Sequence, residues 1–308
     1  MDAFERWYGM LRERGEILDS KAAHFDSLSA EPQRWLFPHE GYDGARVMEH
    51  IMTALGKPAP ALPRIRETRP PPFFERTRAL WAEISEARRS PVPWRQFDPT
   101  ATGSAETVVA HTLFDRDEVR AIAERAESQG ARTNSLLLWA LDRAVYPELA
   151  GPSRFHRWAV PVNLRGALGR LEALANVASF VGVDVAEGAS PADVKNAIKS
   201  RLERNAHWGA WYAFRLMGYL GTWYMRRYAR KYYARPGHSW VGTFSHVGPY
   251  EEDAGWIYAV PPVTRTHPVA ASATTVGGRL TLALHTHPVL GSTDVATMMK
   301  RWRGEALR

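Results

Sequence analysis

Phe37-Pro38-His39-Glu40-Gly41-Tyr42-Asp43-Gly44 sets a histidine four residues ahead of an Asp-Gly pair, and the run Ala45–Leu55 follows at once. In that run Val47, Met48, Ile51, Met52 and Leu55 recur at the spacing of one helix face, and Gly56 supplies the stop. The stretch predicts a histidine, a tight turn and a helix opened by Asp43. Two readings compete. In one, His39-Glu40 is a surface loop and Asp43 a plain helix cap. In the other, the turn holds a working imidazole, and the rest of the chain decides.

Outward from there, residues 1–36 read as helical and amphipathic, with Phe4, Trp7, Tyr8 and Leu11 on one face. No long β-pattern is expected in them, and Gln33-Arg34-Trp35-Leu36 makes a poor strand. A proline-rich connector over 57–72 precedes a helix around Phe73–Arg88, and a turn-rich segment runs to about Gly103. Beyond 104 the pattern alternates. Strands are expected at Thr107–Phe114, Phe155–Asn163, Val177–Val185, Trp240–His246, Thr266–Thr275 and Arg279–Thr286. Helices are expected after Asp115, which has capping-box spacing, after Thr133, after Ser190-Pro191, and from about Thr293.

The order of these motifs resembles the CoA-dependent acyltransferase superfamily, which includes chloramphenicol acetyltransferases, condensation domains and bacterial wax-ester synthases. Its HHxxxDG motif is matched by Pro38-His39 through Asp43-Gly44, with proline in place of the first histidine. Gly130-Ala131-Arg132-Thr133-Asn134, Val160-Pro161-Val162-Asn163-Leu164-Arg165, Asn176 with Val177–Val185, Phe244-Ser245-His246-Val247-Gly248 and Gly278–Leu284 follow in the family's order. The resemblance spans residues 37–305. It implies an α/β fold, a two-layer mixed-sheet sandwich like that of chloramphenicol acetyltransferase. Residues 1–103 would form a reduced N-terminal lobe with the His39 motif and the Pro-rich crossover, and 104–308 a complete C-terminal lobe. Because two-lobed relatives carry more sheet ahead of the motif, it also implies helices in its place or a site completed by a second copy of the chain. An internal echo, strand, His287, tight turn and helix, repeats the His39 layout with Gly291-Ser292 where Asp-Gly stands.

For chemistry, the resemblance implies an acyltransferase moving an acyl group from a CoA or carrier-protein thioester to a hydroxyl or amine, with no tightly bound cofactor. His39 would be the general base, and Asp43 would orient the turn through an ion pair, for which Arg165 is the candidate. Ser245 or the neighbouring backbone would face the oxyanion, and Asn176, Trp240 and His246 would contact substrate. The acceptor would be a small molecule or a lipid. The alternative is an inactive relative that serves as a binding or membrane-docking module.

Composition narrows the partners. The 308 residues include no cysteine, which excludes thiolate nucleophiles, disulfides and cysteine-ligated zinc. A formal charge of +7 suits a phosphate-bearing or acidic partner, such as coenzyme A or an anionic membrane surface. The first residues contain no apolar secretory core, so a cytoplasmic protein is expected, with membrane association on the cytoplasmic face as an option. Residues 204–250 contain no acid and are dense in tryptophan, tyrosine and arginine, which fits either an interfacial helix or an aromatic core helix with a basic end. His285 and His287 alternate on one strand, with Asp294 or His267 as a third candidate ligand, but no metal is expected. No nucleic-acid-binding module is recognisable, and none is expected.

Overall fold

Valine- and alanine-rich strands need cover on both faces, and the architecture is the consequence. The computed structural model describes residues 3–27, 31–58, 70–86, 91–104, 107–169, 176–233 and 239–308. The chain opens with α1 (Ala3–Arg12), β1 (Asp19–Phe25), β2 (Gln33–Pro38), α2 (Gly44–Ala54) and α3 (Phe73–Glu86). It continues with β3 (Ala110–Phe114), α4 (Arg116–Ser128), α5 (Thr133–Leu149), β4 (Phe155–Asn163), β5 (Ala178–Ala186) and α6 (Pro191–Glu203). The helices α7 (Ala206–Tyr219) and α8 (Gly221–Tyr233) follow. The strands β6 (Gly242–Tyr250), β7 (Trp256–Val260), β8 (Val269–Val276) and β9 (Arg279–Thr286) then lead to α9 (Val295–Leu307).

Two sheets form. The larger is mixed and six-stranded, in the order β3-β9-β8-β6-β4-β5, and the smaller is three-stranded, β2-β1-β7. One face of the large sheet carries α5 and α9. Leu137, Leu141, Val145, Met298 and Trp302 bury there against Trp158, Val183, Phe244 and Leu282, and Trp302 donates its Nε1–H to the Leu137 carbonyl at 2.9 Å. Helix α2 lays Val47, Met48, Ile51 and Met52 on Phe37, Val247, Ile257 and Ala259, which seats it across the small sheet.

Three strands depart from the sequence reading. β1 and β2 occupy a region expected to be helical without a long β-pattern, and Gln33–Leu36, expected to be a poor strand, lies within β2. The cause is position in the sheet. β1 is the central strand, buried at almost every residue, so Asp19-Ser-Lys-Ala-Ala-His-Phe shows no two-residue alternation. β2 is an edge strand with Leu36 60% exposed, and a strand solvated on that side needs no apolar signature. β7 is buried at all five positions and reads as a plain apolar run. It lies beyond residue 104 yet supplies the third strand of the small sheet, with Ala22 paired to Ala259.

The aromatic-basic stretch is two helices, not one. Gly221, at φ +84°, breaks it between α7 and α8. No helix among the described residues is long and apolar enough to cross a membrane.

Candidate active site

Where β2 ends, the His39 amide donates to the Leu18 carbonyl at 3.1 Å, fixing the histidine against the start of β1. Its Nδ1 lies 2.9 Å from Ser20 Oγ, and the Tyr8 ring meets the imidazole edge-on with centroids 5.8 Å apart. The turn after it is held by Asn176, just ahead of β5. Asn176 donates its side-chain amide to the His39 carbonyl (3.1 Å) and its backbone N–H to the Glu40 carbonyl (3.0 Å).

Asp43 serves two masters. One oxygen, Oδ1, caps α2 by accepting from the Arg46 N–H at 3.2 Å. The other, Oδ2, accepts from Arg165 Nε (3.0 Å) and Nη2 (2.8 Å) and from the Val177 N–H (3.3 Å). Arg165 is fully buried and Asp43 nearly so, which is tolerable only for a matched and hydrogen-bonded pair. The pair bolts the His39 turn to the ends of β4 and β5.

His39 borders a cavity of about 590 Å³. The small sheet contributes Ser20, Ala259 and Val260 to its wall, with Leu18 just ahead of β1, and the large sheet contributes the face turned away from α5 and α9, with Arg157, Ala159, Phe180, Thr243 and Ser245. Trp7 and Tyr8 of α1, Trp211 and Phe214 of α7, and Tyr228 of α8 close the remaining side. His39 is half-buried because its ring looks into this space while protein encloses the rest. Burial pushes its pKa down to about 4, against the opposing influence of Asp43, the Tyr42 backbone and Glu40. The imidazole is therefore neutral at pH 7, the form that accepts a proton. Burial likewise raises the Tyr8 phenol well above its ordinary value, with the Glu40 charge adding to it. Glu40 itself is paired with Arg12 of α1.

The residues singled out in the sequence fall as follows. Ser245, Asn176 and Trp240 line the same cavity as His39, and so does Asp43 at its base. His246 points the other way along β6: it does not line the cavity, its Nε2 is buried without a hydrogen-bond partner, and burial lowers its pKa to about 4. His285 and His287 take separate partners. His285 Nε2 sits 2.9 Å from the Pro261 carbonyl. His287 Nδ1 accepts from the Val289 N–H and Nε2 lies 3.1 Å from Glu16. Among the described residues no group of three or more histidines and carboxylates could hold a metal. Ser20, Tyr8 and Arg157 were not expected at the site. Ser20 rides on the unrecognised β1. Arg157 had a usable signal, a lone cation within a strand of otherwise apolar pattern.

No protein-family model matches this sequence, and no curated protein matches it significantly. Solved structures do match. The first condensation domain of the calcium-dependent antibiotic synthetase, in complex with a substrate analogue, superposes with a TM-score of 0.54 at 20% identity, over 98% of this chain and 71% of that one. This chain has the condensation-domain fold. The condensation-like fold extends to the EpoB NRPS cyclization-docking bidomain from Sorangium cellulosum (TM-score 0.57, 15% identity, 90% of this chain and 60% of that). It extends also to the TRI3 trichothecene 15-O-acetyltransferase from Fusarium sporotrichioides (TM-score 0.50, 15% identity, 76% and 52%). The two-layer, mixed-sheet α/β architecture implied by the motif order is thus the observed one.

Proposed function

We propose that the chain is an acyltransferase that takes an acyl group from a CoA or carrier-protein thioester and delivers it to a hydroxyl or amine, with His39 as general base. The observation that carries this reading is a half-buried imidazole, held by Ser20 and by a bolted turn, at the edge of an aromatic-lined cavity in a condensation-like fold. Acyl transfer in general agrees with such neighbours.

The chemistry balances with few parts. With Nδ1–H donating to Ser20, the Nε2 lone pair removes the acceptor's proton as its oxygen or nitrogen attacks the thioester carbon. The carbonyl oxygen becomes an oxyanion, for which the Ser245 hydroxyl is the candidate donor. The C–S bond then breaks, and the leaving thiolate takes the proton from Nε2. No covalent acyl-enzyme is required. Asp43 and Arg165 hold the turn and do not touch the reacting atoms.

The test is release of free thiol from a panel of acyl-CoA donors, with wild type compared with His39→Ala. Loss of transfer in the variant supports the base. Equal rates remove His39 from the mechanism, and no turnover with any donor or acceptor favours the inactive binding module.

A second observation bears on where the acceptor comes from. Leu216, Leu220 and Tyr224 line the cavity and are also solvent-exposed, so its mouth lies at the α7–α8 elbow. Tyr219 and Trp223 protrude beside it at 78% and 73% exposure, and Arg226, Arg227, Arg230 and Lys231 follow on α8. We propose that this elbow rests on an anionic membrane surface and admits a lipid acceptor. Co-sedimentation with phosphatidylglycerol vesicles but not phosphatidylcholine vesicles, lost on Trp223→Ser, is expected. Equal partitioning to both removes the proposal.

A further inference from the structure

The cavity has a direction, set by α7. Asn176 holds the His39 turn, and Ser179, three residues on, donates its hydroxyl to the His207 carbonyl at 2.6 Å. The imidazole and the first turn of α7 are therefore pinned to the same short stretch of chain. From that turn outward, α7 walls the cavity with Ala210, Ala213 and Leu216, and Leu220 continues the wall at the elbow. These positions recur every three or four residues and so share one side of the helix.

Exposure rises along that wall in order. Ala210 is 6% exposed, Ala213 is half-buried, Leu216 is 44% and Leu220 51% exposed. The cavity thus runs beneath α7 from the His39 end to open solvent, and ten residues of helical rise give this stretch a length of about 15 Å. Its inner half is braced on two sides. Gly209 brings the α7 backbone against the Ala79 carbonyl of α3, and Phe214 meets Trp7 of α1 edge-on at 5.7 Å. Among the described residues, α3, α7 and α8 turn no charged side chain into this space. Arg215, between Ala213 and Leu216, is exposed and does not line it, and arginine-rich α8 offers it only Tyr224 and Tyr228, four residues apart on one face.

We propose that this channel holds the alkyl chain of the lipid acceptor, with the reacting head inward at His39 and the tail toward the elbow, and that Ala213 and Leu216 determine how much of the chain is covered. A fully extended chain advances about 1.2 Å per bond, so about twelve carbons lie under α7 before the tail emerges. Each methylene drawn beneath the helix leaves water for an apolar wall. The inference rests on the elbow admitting a lipid. Its test uses neither vesicle nor thioester, so co-sedimentation and thiol release judge those two readings separately.

The probes are 1-hexanol, 1-octanol, 1-decanol and 1-dodecanol, each titrated calorimetrically into the full chain. Saturable binding is expected, tightening about fourfold per methylene across the series. Ala213→Trp fills the channel one turn from its inner end, so hexanol should bind as in wild type while dodecanol binds no tighter than hexanol. Should Ala213→Trp fail to fold, Leu216→Asp, at an exposed position, sets a charge across the outer channel. It is expected to keep the gain from hexanol to octanol and to lose the gain from octanol to dodecanol. Affinity independent of chain length in wild type, no saturable binding of dodecanol, or a full wild-type gain per methylene in both variants overturns the channel.

Discussion

Arg165 brings two donors, Nε at 3.0 Å and Nη2 at 2.8 Å, to one oxygen of Asp43, and leaves the other oxygen to cap α2. A single carboxylate thus joins a helix start, the His39 turn and the far ends of two strands in the other sheet. Removing Arg165 takes its two donors away from the buried Asp43 carboxylate. Arg165→Met is expected to cost about 3–5 kcal/mol, measured as a lower urea midpoint. The double variant Asp43→Asn/Arg165→Met should recover part of that loss, since no lone charge remains. A double variant whose loss equals the sum of the two single losses would show that the pair is not coupled.

The pH-rate profile should report His39. Burial lowers its pKa to about 4, so the neutral base is fully present above about pH 5. Activity is expected to rise through the region near pH 4 and to be flat from pH 6 to 8. An apparent pKa near the ordinary histidine value, about 6.5, would mean that the ring is hydrated and not enclosed.

Ser20 is a positioning residue, and its removal should behave as one. Ser20→Ala leaves Nδ1 without its contact and frees the ring to choose either tautomer. A fall in kcat of about tenfold with little change in KM is expected, and Ser20→Thr should restore most of it. Loss of substrate affinity instead would place Ser20 in the binding surface.

Acid should destabilise the fold before it protonates carboxylates. Burial pushes His39, His207, His246 and His285 down to about 4. Their folded values lie below the unfolded one, so between about pH 6.5 and 4 the unfolded chain binds more protons than the folded chain. Stability is therefore lost as pH falls through that window and is unaffected by these groups above it. Thermal melts from pH 8 to 4 should show a plateau and then a decline beginning near pH 6.5. A melting temperature that holds steady down to pH 4.5 would contradict the burial of these rings.

Helices α3 and α7 cross at a glycine. A Cβ on Gly209 would fall 2.4 Å from the Ala79 carbonyl oxygen, which belongs to backbone and cannot swing aside. Gly209→Ala gains helix propensity but should still destabilise the protein by about 1–3 kcal/mol through overpacking. A stabilised variant would mean that α3 sits farther from α7.

Local signals carried far. The His39 turn and its capped helix follow from eleven consecutive residues with a clean helix period, and the borders of β4 and β9 fall where the sequence placed them. What escaped was whatever depends on a distant neighbour. β1 hides its nature because β2 and β7 cover both its edges and its apolar residues are only two alanines and a terminal Phe25. Ser20 is invisible as a site residue for the same reason. Arg157 is legible as a lone cation in an apolar strand, but the space that Gly182 leaves for it on the adjoining strand is not.

The partner of β1 on one side is β2, close by in the sequence, but on the other it is β7, whose residues are more than 200 positions later in the chain. A ribosome therefore releases the amino-terminal segment long before its second neighbour exists. Until Trp256–Val260 emerges, the strand bearing Ser20 has an open edge, and the chamber beside His39 lacks one wall. Competence to bind should thus appear abruptly and late in synthesis, and nascent chains stalled short of that point would be the species most prone to adhere to one another.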